Sequence, residues 1–345
     1  MHGWREILIL SVVFLVASGT GGPVLHAQEK EGLDSGELDL SLSLADIGPV
    51  ALADEPAEPS AETEAAPAKK GPPIPIHTIE GTGGAAITQM AYLVNPGPEG
   101  TAIGLPSFSY TFLKAGEKSV HSYALSQTFF RRIEFSYAAN RVDLGDFDDD
   151  VRTATGLETG RDDIYLHHLN LRGLLVEEKG WIPAVTGGVH FKINQGIKSI
   201  DHNLGGTLRG LGYERSSGVD FTLVASKTFP DLAFGRPVIT SLGLRWTQAA
   251  QIGWLGFGND WATNIEANVA CLVTDWLAVV YEYRQKESPY SRLQNLVGRE
   301  EDWHAIDAVW IINEHATLAA VWADLGNLAN GVEDCTWGLQ FKYEF

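Results

Sequence analysis

Past its first apolar run the sequence has no stretch that reads as a membrane-spanning helix, because every later run is short and broken by polar residues. Such a helix needs about 20 consecutive apolar residues. Cysteine is nearly absent. Cys271 and Cys335 are the two in the chain, too far apart for metal or redox spacing. One disulfide is open to them outside the cytoplasm, although Cys271 also reads as a small apolar strand residue. Basic charge is scarce: 25 Lys and Arg face 44 Asp and Glu, a formal net charge of −19. That balance excludes the basic surface nucleic-acid binding requires. Phosphate loops, dinucleotide fingerprints and zinc spacings are missing too, so neither cofactor nor metal is expected.

What is present begins with an export signal. Arg5 precedes an apolar run from Ile7 to Ala17, interrupted only by Ser11, and Leu25-His26-Ala27 offers a cleavage edge after Ala27. Without a cysteine near that edge, lipoprotein processing is not expected. Residues 28–76 are rich in Ala, Pro and Glu. Between Gln28 and Pro72, eleven acidic residues face only Lys30, Lys69 and Lys70. So little apolar surface cannot offset the entropy of ordering, which predicts a disordered acidic linker. Its Leu40-Ser41-Leu42-Ser43-Leu44 alternation could still pair with a partner strand.

From residue 105 onward hydrophobicity has period two. Phe108, Tyr110 and Phe112 share a face, as do Ile133, Phe135 and Tyr137, then Val219, Phe221, Leu223 and Ala225. Val238, Leu242, Leu244 and Trp246 continue it, followed by Ile265, Ala267 and Val269, and by Leu277, Val279, Tyr281 and Tyr283. Alternation over about ten residues marks a strand with one apolar and one polar face. Tight turns near Phe130-Arg131, Glu177–Gly180, Pro230–Arg236, Thr274-Asp275 and Asn313–His315 alternate with polar loops at 143–163, 194–217, 248–262, 286–302 and 325–334. Short turns on one side and long loops on the other are the rhythm of an outer-membrane barrel. Phe129, Phe130, Trp181, Phe229 and Trp276 cluster at the short-turn end, where a membrane interface holds aromatics. The chain ends on Trp337, Leu339, Phe341, Tyr343 and Phe345 at every second position. The last three resemble the C-terminal signal read by the barrel-assembly machinery.

The pattern predicts an all-β transmembrane antiparallel up-and-down barrel of about twelve strands over 105–345. Twelve is even, which returns both ends to the periplasm. The stretch 83–94 with its Gly-rich start is then one strand too many, and the segment 77–104 is expected to enter the lumen as a plug or to lie below the barrel. Opposite the apolar faces lie Arg132, Glu134, His168, Arg172, His190, Lys192, Asp220, Arg245, Glu266, Glu282, Arg284, Asp307, Lys342 and Glu344. These are the candidate lumen-lining residues. They read either as a polar permeation path or as paired charges filling a narrow barrel.

Catalytic readings are weak. His121-Ser122 are strand neighbours that point to opposite faces, and so are His167-His168. Asp143, Asp146, Asp148, Asp149 and Asp150 suggest calcium, but Val151 stands where an EF-hand needs Gly and Leu157 where it needs Glu. A solvated external loop is expected instead. Gly253-Trp254-Leu255-Gly256-Phe257-Gly258 reads as a loop or rim element. No catalytic residue is assigned, and an enzyme is not expected.

Several stretches together resemble a known family. They are Ile79-Glu80-Gly81-Thr82-Gly83-Gly84, Ser217-Gly218-Val219-Asp220-Phe221, Ala249-Ala250-Gln251-Ile252-Gly253-Trp254, Glu282-Tyr283-Arg284-Gln285-Lys286 and Trp322-Ala323-Asp324-Leu325-Gly326-Asn327. Over residues 77–345 the chain resembles the bacterial outer-membrane family named domain of unknown function 3034. The resemblance implies a barrel and supplies no mechanism. The expected role is a narrow or plugged channel or binding barrel for a small solute in the outer membrane. Its neighbours would be lipid, lipopolysaccharide and the assembly machinery. The alternative is a non-conducting structural or adaptor barrel whose acidic periplasmic tail binds an envelope partner. A lipid-acting enzyme is the least favoured reading.

Overall fold

A computed structural model of the protein describes residues 74–291, 293 and 297–345. The export signal and residues 28–73 of the expected linker lie outside the described residues. Ile74–Ile76 do not belong with that linker: their apolar side chains are at least partly buried, and Ile76 pairs with Gly84.

Twelve antiparallel strands form one closed barrel. They are β1 (Ser107–Ala115), β2 (Lys118–Phe129), β3 (Ile133–Asp143), β4 (Asp163–Val176), β5 (Ala184–Gln195) and β6 (Ser217–Ala233). Then come β7 (Arg236–Ala249), β8 (Phe257–Thr274), β9 (Leu277–Arg284), β10 (Trp303–Ile311), β11 (Ala316–Asp324) and β12 (Thr336–Glu344). Each strand pairs with its chain neighbours. β12 closes the ring on β1 in the register Leu339↔Phe112, Phe341↔Tyr110 and Tyr343↔Phe108. Closure removes the edge that an open sheet would expose to hydrocarbon. Among the described residues no helix is long and apolar enough to cross a membrane.

Side chains follow the expected parity. Phe135, Leu171, Phe221, Leu244, Ile306, Trp322 and Leu339 are exposed large apolar groups on the outer wall. A soluble protein could not leave so continuous an apolar band in water. Phe130, Trp181 and Trp276 are exposed at the short-turn end, and Trp276 stacks on Trp310 at 5.7 Å. Phe130 and Arg131 have φ of 50° and 58°, the left-handed geometry that matches a two-residue hairpin to the strand twist. Cys271 on β8 and Cys335 near the opposite end are both free thiols.

The external loops differ from the expectation of solvated chain. Phe147–Thr155 form helix α1, Ile197–Asn203 helix α2 and Thr207–Leu211 helix α3. In α1, Asp148, Asp149 and Asp150 occupy the first turn, where the helix dipole favours carboxylates. Phe147 and Val151, one turn apart, are buried. They join Ile197, Ile200, Leu204, Leu208, Trp254 and Leu255 in an apolar core across the external end. The sequence pattern showed acidity there, but the tertiary fold supplied the apolar partner that turns two residues into a helical face. The loop expected at 248–262 is shorter than its pattern suggested, because β8 already starts at Phe257. The connection between β1 and β2 is a tight turn at Gly116, although it lies at the long-loop end.

Candidate functional site: a charged lumen around the N-terminal segment

Residues 74–104 enter and leave the barrel at the short-turn end. Lys342 Nζ donates to Pro75 O at 2.6 Å, and Thr128 Oγ1 to Val94 O at 2.5 Å. In between, Ile76–His77 ladder with Gly83–Gly84, and residues 76–91 are buried throughout. Two residues per side cannot make a sheet that stands alone, so the barrel wall supplies the missing partners. Gly81 has φ of 87°, and a Cβ there would lie 2.7 Å from Ala138 Cβ. Small wall residues and a glycine thus let backbone touch backbone.

The side chains that bind this segment are the inward-facing ones. Glu282 accepts from three consecutive amides, Ala86 at 2.9 Å, Ile87 at 3.0 Å and Thr88 at 2.6 Å, and from Thr88 Oγ1 at 2.5 Å. Consecutive amides aimed at one carboxylate make an anion-binding nest. Asp307 accepts from the same Ala86 amide at 3.2 Å. Glu134 takes Gly83 N at 3.2 Å and Val94 N at 2.8 Å. Its neighbour Arg172 donates to Gly83 O at 2.6 Å and Tyr92 O at 2.9 Å. Thr186 binds Ala91 O, Asn170 binds Glu80 O, and Gln340 binds both the amide and the carbonyl of His77. Much of the segment's backbone requirement is therefore met by wall side chains rather than by its own ladder.

Glu80 is the charge the segment carries into the middle of the lumen. Its carboxylate meets Lys192 Nζ, Arg245 Nη2 at 3.0 Å and Arg284 Nη1 at 2.9 Å. Asp220 and Glu266 share the same cations: Lys192–Asp220 is 2.7 Å, Arg245–Asp220 3.0 Å and Arg245–Glu266 2.6 Å. Burial alone would raise the Glu80 pKa, but Arg245, Arg284 and Lys192 together hold it well below the usual carboxylate range. The His77 ring lies between the hydroxyls of Ser109 at 2.8 Å and Ser126 at 2.7 Å. Burial first, then Lys342 and Arg172, push its pKa well below the ordinary value, so the ring is neutral.

The two ends of the lumen carry different chemistry. At the short-turn end Tyr92 OH binds Glu178, which also takes Lys227 Nζ at 2.5 Å and Thr228 N at 3.1 Å. At the other end Asn194 Nδ2 donates to Gly253 O and Trp254 O, both at 2.8 Å, folding the 250–256 connection over the opening. Above it the apolar cap leaves a cavity of about 40 Å³ between Leu113, Phe147, Ile197 and Leu255.

Of the lumen-lining candidates, Glu134, His168, Arg172, His190, Lys192, Asp220, Arg245, Glu266, Glu282, Arg284, Asp307 and Lys342 are buried, each no more than 2% exposed, and Glu344 is buried with them. Arg132 is a correction. It is exposed in the turn before β3 and pairs with Glu177 at 2.8 Å, because the left-handed residues Phe130 and Arg131 break the alternation that would have turned it inward. His121 and Ser122 do face opposite ways: Tyr110 OH bonds His121 Nδ1 at 2.8 Å outside, while Ser122 Oγ donates to Ile79 O inside. His167 likewise bonds Tyr137 OH on the outer wall, and His168 is buried inside beside Asn140. Sequence reading missed His77 and Glu80. The available signal was their isolation as the two charged or titratable residues between Ile74 and Met90.

Comparison with known proteins adds a family. No curated protein matches the chain by sequence. Among solved structures, the KdgM porin is similar at 7% identity and TM-score 0.42, over 69% of this chain and 99% of that one. The NanC porin follows at 10% identity and TM-score 0.40, over 70% of this chain and 98% of that one. Omp33 of Acinetobacter baumannii is similar at 8% identity and TM-score 0.40, over 71% of this chain and 99% of that one. The barrel rests on its own strand pairing and needs no support from these likenesses. A family model covers residues 75–342, most of the described barrel and its inner segment, and the chain belongs to that family, Protein of unknown function (DUF3034).

Proposed function

We propose that this outer-membrane barrel is a channel for small polar solutes, held closed by its own N-terminal segment acting as a plug. The observation that carries this reading is the way the segment is held. Charged and hydroxyl side chains of the wall bind its backbone and Glu80. These contacts can be exchanged for water one by one, and the same side chains would line a hydrated path once the segment withdraws. A barrel meant only to be filled could use apolar side chains, which avoid the desolvation of buried ion pairs.

The test is single-channel recording from the refolded protein beside a chain that begins at residue 96. The expected result is sparse opening in the first and steady conductance in the second. Silence from both, with folding verified, overturns the channel. It would turn attention to an adaptor role, which the acidic composition of residues 28–72 favours.

A further inference from the structure

The wall cations that hold Glu80 are more numerous than the wall needs. Among the described residues, the wall carboxylates that pair directly with Lys192, Arg245 and Arg284 are two, Asp220 and Glu266. All five groups are at most 2% exposed. Glu80 is the third anion and completes the balance. If the segment withdraws, one positive charge is left uncompensated in a narrow protein-walled space. An unpaired buried charge is strongly unfavourable, so an anion from solution is drawn to the position.

A second observation points the same way. Arg245 Nη2 and Arg284 Nε are buried and, among the described residues, donate no well-aligned hydrogen bond. They nevertheless lie 3.0 Å from Glu80 and 3.3 Å from Glu266. The cluster therefore attracts Glu80 by charge but is not saturated by it. A ligand with a carboxylate and further oxygens would use donors that the plug leaves idle.

We propose that Lys192, Arg245 and Arg284 form a lumenal binding site for a small carboxylate-bearing solute, and that Glu80 is the internal ligand occupying it in the closed state. This rests on the plug reading and adds the solute class. Solute and Glu80 compete for one site, so the solute binds the open form alone and shifts the population toward it. Neighbouring groups suit a hydroxylated acid, since Asn170 is already engaged with Glu80 O and would be released with it.

The test uses gluconate as probe and sorbitol as its uncharged control, with binding measured by calorimetry on the full-length protein and on Glu80→Gln. The variant should bind gluconate at least about tenfold more tightly than the parent, since its internal competitor is weakened. Sorbitol should bind neither. Adding Arg284→Met to Glu80→Gln should abolish the gain. Equal gluconate affinity in parent and Glu80→Gln, or equal binding of sorbitol, overturns the site. Should Glu80→Gln fail to fold, hydrogen exchange on the parent decides. Gluconate, and not sorbitol, must lower the protection of the Ala86, Ile87 and Thr88 amides; unchanged protection overturns the site. The two readings fail separately. Gluconate binding without conductance keeps the site and removes the channel, whereas conductance without gluconate discrimination keeps the channel and removes the site.

Discussion

Mild acid should loosen the inner segment, and His77 should set the slope. In the docked segment the ring is neutral, held so by burial and by Lys342 and Arg172. Once withdrawn into water it regains an ordinary pKa of about 6.5. The withdrawn state therefore binds the extra proton, and docking weakens as pH falls below about 6.5. Between that value and about pH 5, the loss is RT ln[(1 + 10^1.5)/2], about 1.7 kcal/mol or roughly 16-fold in the docking equilibrium. Glu80 has the same sign, because its docked pKa lies well below the ordinary one. Its contribution is present above the ordinary carboxylate range and is lost below it, so it adds little until the pH passes about 4.5. The interval from about pH 6.5 to about pH 5 thus isolates His77.

Hydrogen exchange of the Ala86, Ile87, Thr88, Ala91 and Val94 amides, corrected for intrinsic rates, reads the equilibrium directly, because each is bonded to a wall side chain. His77→Gln keeps a side chain able to bond Ser109 and Ser126 but removes the titration. His168 and His190 lie on the wall in both proteins, so their effect cancels in the comparison. The parent should lose about 16-fold more protection than the variant across this interval. Identical pH profiles for the two proteins would refute the reasoning.

Two further outcomes follow from the same contacts. Arg172→Met removes the donor to Gly83 O and Tyr92 O and strands the buried Glu134 carboxylate. It should cost about 3–5 kcal/mol, seen as lost protection at residues 83–94 while the strands keep theirs; intact protection would show that Arg172 does not hold the segment. Removing Phe345, whose amide bonds Pro106 O at 3.1 Å beside the β12–β1 seam, should reduce the heat-modifiable folded form recovered from membranes. Undiminished recovery would mean that Phe341 and Tyr343 suffice as the assembly signal.

Much of the fold was legible because a barrel wall obeys a local rule. Alternation every second residue placed Phe135, Phe221 and Leu244 outside and Glu134, Asp220 and Arg245 inside, and the rule failed where the local geometry did, at Phe130 and Arg131. Loop helices were less legible. Phe147 and Val151 are only two residues of an apolar stripe, and their core is completed by other external loops, among them α2, α3 and the 250–256 connection, and by wall strands such as β1 and β4.

The sequence by itself determined the barrel, its strand number and the polarity of its two faces, since pleat and hydrogen-bonding demands act within each strand and between chain neighbours. Only the tertiary structure decided what fills the ring. The meeting of Glu80 with Lys192, Arg245 and Arg284 joins positions 112 to 204 residues apart, and no local preference encodes such a contact. It arises because closure brings inward faces together around one axis, where buried charges must find partners of opposite sign.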